Sequence, residues 1–272
     1  MKKNSFFSLR FPVFCFWLIL ATFVLSGCSL KLAEKQVGDQ GQPSPMPTKP
    51  LEETIFDRPF VSLEPTTDGH WVNLQVNNIK EGTKSIDYEL IYFAGDIGNQ
   101  VERGVAGSIE LKGEKSFARK ILFGSESCTV KCKYKFDENI SEGVLTLKLR
   151  NETGTEKFES AFRLQKGSEA AEGLSTGDGN FKFVAKNLAK NSYFLTISTI
   201  GVPKEFEGKI GAVPYGIFPS SSAKGEVFFK ANEEAAILVW DGTKWLETES
   251  SLVDGWLRTS VQKTGIFVLV KQ

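Results

Sequence analysis

The chain has 272 residues, with 33 basic and 33 acidic side chains, 22 Phe, 2 Met and a single His. Balanced charge without a Lys/Arg block excludes an electrostatic nucleic-acid binder, and near-neutrality argues against long-range steering of a charged partner. One imidazole excludes most catalytic and metal constellations, which need two or more, while abundant Phe with little Met suits packed sheets more than helices.

The chain opens with Lys2, Lys3 and Arg10, followed by the uncharged run "FPVFCFWLILATFVL" over 11–25. A basic segment before a short apolar one is the pattern of an export signal. The run falls short of the ~20 residues that cross a ~30 Å hydrocarbon core, so a permanent transmembrane helix is the weaker reading. Next comes Leu25-Ser26-Gly27-Cys28, which resembles the lipobox of bacterial lipoproteins. This resemblance is confined to the first 28 residues. It implies cleavage before Cys28 and acyl chains on the Cys28 sulfur and amine, with an ordinary secreted protein as the alternative. Each buried CH₂ contributes about 0.8 kcal/mol and one chain binds only marginally, so stable anchoring takes more than one. The implied partner is a lipid bilayer and the implied location the cell membrane or outer membrane, facing outside the cytoplasm. Loss of 1–27 removes three basic residues and no acid, leaving 245 residues with 30 basic against 33 acidic. That length accommodates two domains.

Residues 28–54 are polar and include Pro43, Pro45, Pro47 and Pro50. They offer too little apolar surface to fold and read as a disordered, extended tether of about 3 Å per residue.

Residues 55–166 show period two. Val72, Leu74 and Val76 share a face, as do Ile86, Tyr88, Leu90 and Tyr92, then Leu145, Leu147 and Leu149, then Phe158, Phe162 and Leu164. Short alternating strands with Gly, Asn, Asp and Ser between them predict an antiparallel sandwich like an immunoglobulin or fibronectin module. His70, in "TTDGHW", reads as a polar residue at a strand start, since no second imidazole supports a ligand or base role.

Cys128 and Cys132 are the remaining cysteines of the mature chain. An exported protein meets oxidising conditions, which favours a disulfide. Four residues of straight strand span about 13 Å, whereas a bridge needs roughly 4.4–6.8 Å between Cα atoms. The bridge therefore requires "CTVKC" to bend into a tight loop between "FARKILFG" and "KYKF". Free thiols, or a metal site with further ligands, are the alternatives.

Residues 167–180 are rich in Gly, Ser and acid and read as a linker, with the domain boundary there. Asp178 and Asn180 in "STGDGN" hint at calcium, but the remaining oxygen ligands and their spacing are missing.

Residues 181–272 return to strands. Asp-Gly in "LVWDGTKW" predicts a hairpin. A four-residue loop would set Trp240 opposite Trp245, and a two-residue turn would pair Leu238 with Trp245. "PYGIFPS", "WDGTKW" and "TGIFVLV" together resemble the C-terminal β-sandwich modules of many bacterial surface proteins. That implies a second sandwich and is nearly silent on activity. Trp240, Trp245 and Trp256 form either a sugar-stacking surface or ordinary cross-strand packing.

No nucleophile elbow, phosphate loop or paired-His motif occurs, so no catalytic residue, metal or cofactor is assigned. The expected fold is all-β: two tandem antiparallel β-sandwich domains, 55–166 and 181–272, behind a signal peptide (1–27) and tether. The expected role is a non-catalytic one in binding, adhesion or envelope structure, with an envelope protein or glycan as partner. A carbohydrate-active envelope enzyme is the first alternative, requiring two carboxylates about 5–10 Å apart in a cleft. A transporter's substrate-binding lipoprotein is the second, but the helical periods of such α/β lobes are missing.

Overall fold

A computed structural model describes residues 54–185 and 187–271. The expected signal peptide, Cys28 and the expected tether as far as residue 53 lie outside the described residues. Among the described residues there are twenty strands and no helix. The first half carries β1 (Phe60–Pro65), β2 (Trp71–Asn77), β3 (Ser85–Ala94), β4 (Val101–Glu110), β5 (Phe117–Leu122), β6 (Gly124–Cys128), β7 (Cys132–Phe136), β8 (Glu142–Arg150) and β9 (Thr155–Lys166). The second carries β10 (Leu174–Ser175), β11 (Phe181–Ala185), β12 (Tyr193–Ser198), β13 (Lys209–Ile210), β14 (Tyr215–Phe218), β15 (Gly225–Lys230), β16 (Ala236–Trp240), β17 (Trp245–Thr248), β18 (Ser251–Val253), β19 (Trp256–Val261) and β20 (Ile266–Lys271).

The alternation read from the sequence is the alternation of burial. In β2, Val72, Leu74 and Val76 are fully buried while Asn73 and Gln75 between them are exposed. In β3 and β8 the same period buries Ile86, Tyr88, Leu90 and Tyr92 against Leu145, Leu147 and Leu149. One face meets the core and the other meets water, as expected for antiparallel sheets.

A three-stranded sheet (β1-β2-β5) and a five-stranded sheet (β10-β11-β15-β19-β18) pack on a ten-stranded one. The large sheet runs β17-β16-β20-β14-β12-β9-β8-β3-β4, with β13 on β20. Successive side chains of a strand point to opposite faces, so β12 feeds two cores at once. Leu195 and Ile197 join the core beneath β1 and β2, while Phe194 joins the core beneath β11 and β15. The small sheets therefore cover opposite faces of the large one, and strands near its middle are buried on both. That is why β14 and β20 read as unbroken apolar runs, "YGIF" and "IFVLV", rather than as alternating ones.

Residues 167–180, expected as a free linker, are packed instead. Leu174 is fully buried, Ala170 and Thr176 are buried, and β10 pairs with β11. β9 pairs with β12 across this segment from Tyr193↔Lys166 to Ile197↔Phe162. The described residues all belong to one compact unit that carries two sandwich-like cores on one continuous sheet. The Gly, Ser and acid content marks the turns of this segment, and a two-residue strand is too short to show a period.

Candidate functional site: a disulfide-closed basic finger

One element leaves the sandwich. After β5, Phe123 is fully buried, and the chain then turns outward at Gly124. Gly124 has φ +145°, and a Cβ there would overlap the Lys135 carbonyl oxygen. Only glycine permits this close crossing of the two finger strands. β6 and β7 pair with each other alone, from Gly124↔Phe136 to Cys128↔Cys132. All of β7 is exposed, as are Ser125 through Cys128 of β6.

The tip is closed by the expected bridge. The Cys128 and Cys132 sulfurs lie at bonding distance and their Cα atoms are 4.1 Å apart, so the chain bends, and slightly more tightly than most bridged pairs. Val130 stands at the apex, 96% exposed. The Glu126 carboxylate lies within 4.8 Å of both sulfurs, but bridged sulfurs supply no thiolate to a metal.

Residues opposite each other in an antiparallel ladder share a face. Lys133 and Lys135 thus share one face with Ser127 and Ser125, while Tyr134 and Phe136 share the other with Glu126. The aromatic face docks on the body. Phe136 stacks on His70 with ring centroids 3.9 Å apart and planes 6° apart. Tyr134 meets Trp71 edge-on at 5.4 Å, and Lys120 Nζ sits 4.7 Å over the Trp71 ring. Such aromatic pairs contribute about 0.5–1.5 kcal/mol each, enough to orient a hairpin that shares no ladder with the sandwich. The lysine face is left to solvent. Lys131, Lys133, Lys135 and Arg119 form no ion pair among the described residues. From Arg119 to Phe136 five cations face one carboxylate.

His70 therefore acts as a stacking partner within a turn. Asp68 holds that turn by accepting bonds from the Thr66 hydroxyl and the His70 amide, and these bonds hold its carboxyl below the usual range. The same turn recurs at the β10–β11 connection. There Asp178 accepts bonds from the Thr176 hydroxyl and the Asn180 amide, with Gly179 at φ +67° matching Gly69 at φ +72°. Asp178 accepts further from Asn180 Nδ2 and the buried Tyr215 hydroxyl, 2.7 Å away. Its oxygens are engaged in holding the fold, which accounts for the calcium-like "STGDGN".

The three tryptophans do not form a row. Trp240 pairs with Trp245 across a four-residue loop closed by Asp241 N donating to Lys244 O, which selects the longer of the two turns. Their rings are 5.2 Å apart, and Trp245 also meets Phe206 and donates from Nε1 to the Lys204 carbonyl at 2.8 Å. Trp256 lies in the five-stranded sheet against Phe228. Packing accounts for all three.

A cleft of about 480 Å³ places two carboxylates, Asp178 and Glu233, in one wall. Burial works to raise the Asp178 pKa, but hydrogen bonds from Thr176, Tyr215 and Asn180 outweigh it and lower it overall. Lys271 holds Glu233 low through a hydrogen bond and its charge. Both shifts run opposite to the raised carboxyl of a glycosidase acid.

Sequence reasoning misses the finger's aromatics and lysines, although Lys131-x-Lys133-x-Lys135 is visible there as a period-two charge pattern. Neither a family model nor a curated protein matches the chain.

Proposed function

We propose that this is a lipid-anchored bacterial envelope protein with a non-catalytic binding role. It is tethered through acylated Cys28, and the β6–β7 finger is its contact surface for an anionic envelope polymer bearing phosphates or carboxylates. The observation that carries this reading is the exposed, disulfide-closed hairpin with its aromatic face docked and its lysine face unpaired. The mature chain is acidic overall, so the cluster concentrates charge of the opposite sign. Alternate residues of a strand recur every ~7 Å. Lys133 and Lys135 therefore stand one such repeat apart, and Lys131 in the tip loop adds a third cation, presenting a row of charge to a polymer with repeating anions. At physiological ionic strength screening acts within ~8 Å, so the contact depends on several simultaneous pairs at short range.

Titration calorimetry at low salt tests the finger, using the chain from residue 29 with short-chain polyphosphate and with polyglutamate. The expected result is salt-sensitive binding to at least one polymer, lost in the K131E/K133E/K135E variant. Equal binding by that variant, or binding to neither polymer, would refute the role. Mass spectrometry of membrane-extracted protein tests the anchor separately: an N-terminal peptide starting at acylated Cys28 is expected, and an unacylated start elsewhere overturns it.

A further inference from the structure

We infer that the cleft where the chain enters the fold binds a small organic anion, a carboxylate or phosphate ester carried on an apolar body. Residues 54–58 cross the second half of the chain, and Phe56 packs edge-on against Phe206 at 5.0 Å. Ile55 and Phe56 rest on the small core of Val202, Leu238, Val268 and Val270. Between this segment and the loop before β14 lies a cleft of about 700 Å³. That is the size of an ordinary small-molecule site.

Two features give the cleft its chemistry. The first is a pair of unpartnered polar groups. Thr199 lines the cleft, is 3% exposed, and its buried Oγ1 has no hydrogen-bond partner among the described residues. Arg58 also lines it, and its Nε is buried without a partner among the described residues. A buried polar group left unpaired forfeits its hydration with no return, and native folds rarely leave two together. Both can donate, and Arg58 can only donate, so the missing partner is an acceptor.

The second feature is the lining as a whole. Lys209 adds another cation, and no acidic side chain lines the cleft among the described residues. The remaining walls come largely from apolar groups, including Ile55, Phe56, Ile210 and Val213. The charge calls for an anion, and the walls call for an apolar body of a few carbons or a ring. A bare inorganic ion would leave the walls uncovered, and a neutral alcohol would bring no charge to Arg58 and Lys209. The site is independent of the finger, because it uses none of the same residues.

The test is titration of the chain from residue 29 with octanoate and with octyl phosphate, which separates the two head groups. Octanol and inorganic phosphate serve as the half-ligands. Saturable binding of octanoate or octyl phosphate is expected, with each half-ligand at least tenfold weaker. R58Q should weaken binding at least tenfold. Thr199→Val keeps the side-chain shape and removes the unpaired hydroxyl. It should weaken binding several-fold and leave the unliganded melting temperature unchanged or raised, which guards against a folding artefact. Backbone NMR shifts should concentrate at Thr199 and Lys209–Val213. Binding that ignores both R58Q and Thr199→Val, or none with either amphiphile, overturns the inference. Binding seen only when the chain begins at residue 54 overturns it too, since the protein's own Glu52 or Glu53 would then be the anion.

Discussion

Ile197→Ala tests whether the two halves are one cooperative structure. Ile197 is fully buried on β12, a strand of the second half, yet its side chain belongs to the core beneath β1 and β2. The change removes three carbons, worth about 2.4 kcal/mol at ~0.8 kcal/mol per buried methylene. A cavity term brings the expected loss to about 3 kcal/mol, inside the ~2–5 kcal/mol typical of such truncations. With an unfolding slope of about 2 kcal/mol/M in urea, the midpoint falls by about 1.5 M. The assay is fluorine NMR of fluorotryptophan-labelled protein in urea. Trp71 reports the first half and Trp256 the second. Both native resonances should disappear together at the lowered midpoint. If one resonance keeps its wild-type midpoint while the other moves, the halves unfold separately and the shared sheet does not couple them.

Three further outcomes are expected. Gly124→Ala sets a Cβ against the Lys135 carbonyl at φ +145°, so amide exchange should accelerate through β6 and β7 while the sandwich amides stay protected; unchanged finger protection would contradict the close-approach argument. Replacing Cys128 and Cys132 by Ser should cost no more than about 2 kcal/mol, because a five-residue ring removes little unfolded-chain entropy. Labelling of unreduced, denatured wild-type protein should find neither thiol, and a loss of several kcal/mol in the double mutant would show that the finger organises more of the fold. Asp241 accepts bonds from the Lys244 amide and the Thr243 hydroxyl and amide, which lower its pKa to about 2. A depressed carboxylate stabilises above its unfolded value, so this loop should hold down to about pH 4 and loosen as pH falls towards about 2. Carboxyl NMR should give that midpoint, and an ordinary value would refute the capping role.

The parts of the fold legible in the sequence are those with one buried face. β2, β3 and β8 alternate cleanly because water lies on their other side. β14 and β20 are recognisable as strands, but their uniform apolarity conceals that two different cores cover their two faces. The domain boundary is misplaced for a related reason: the composition of 167–180 reports its turns, whereas Leu174 is buried by partners remote in sequence. The cysteine bend comes from covalent reach alone. The finger's lysine face is present as alternation but hidden by a net charge summed over the whole chain. Trp256 lies near Trp245 in sequence yet in a different sheet. Arg58 and Thr199 line one cleft only through the tertiary fold, so no local pattern could group them.

The most direct test of the finger as the contact surface is a backbone NMR titration of the chain from residue 29 with short-chain polyphosphate at low salt. The shifts should centre on Ser125–Lys135 and on Arg119 and Lys120 of β5, fading as salt is added. Shifts centred on another surface, such as Trp240 and Trp245, or no shifts with either polyphosphate or polyglutamate, would contradict the account.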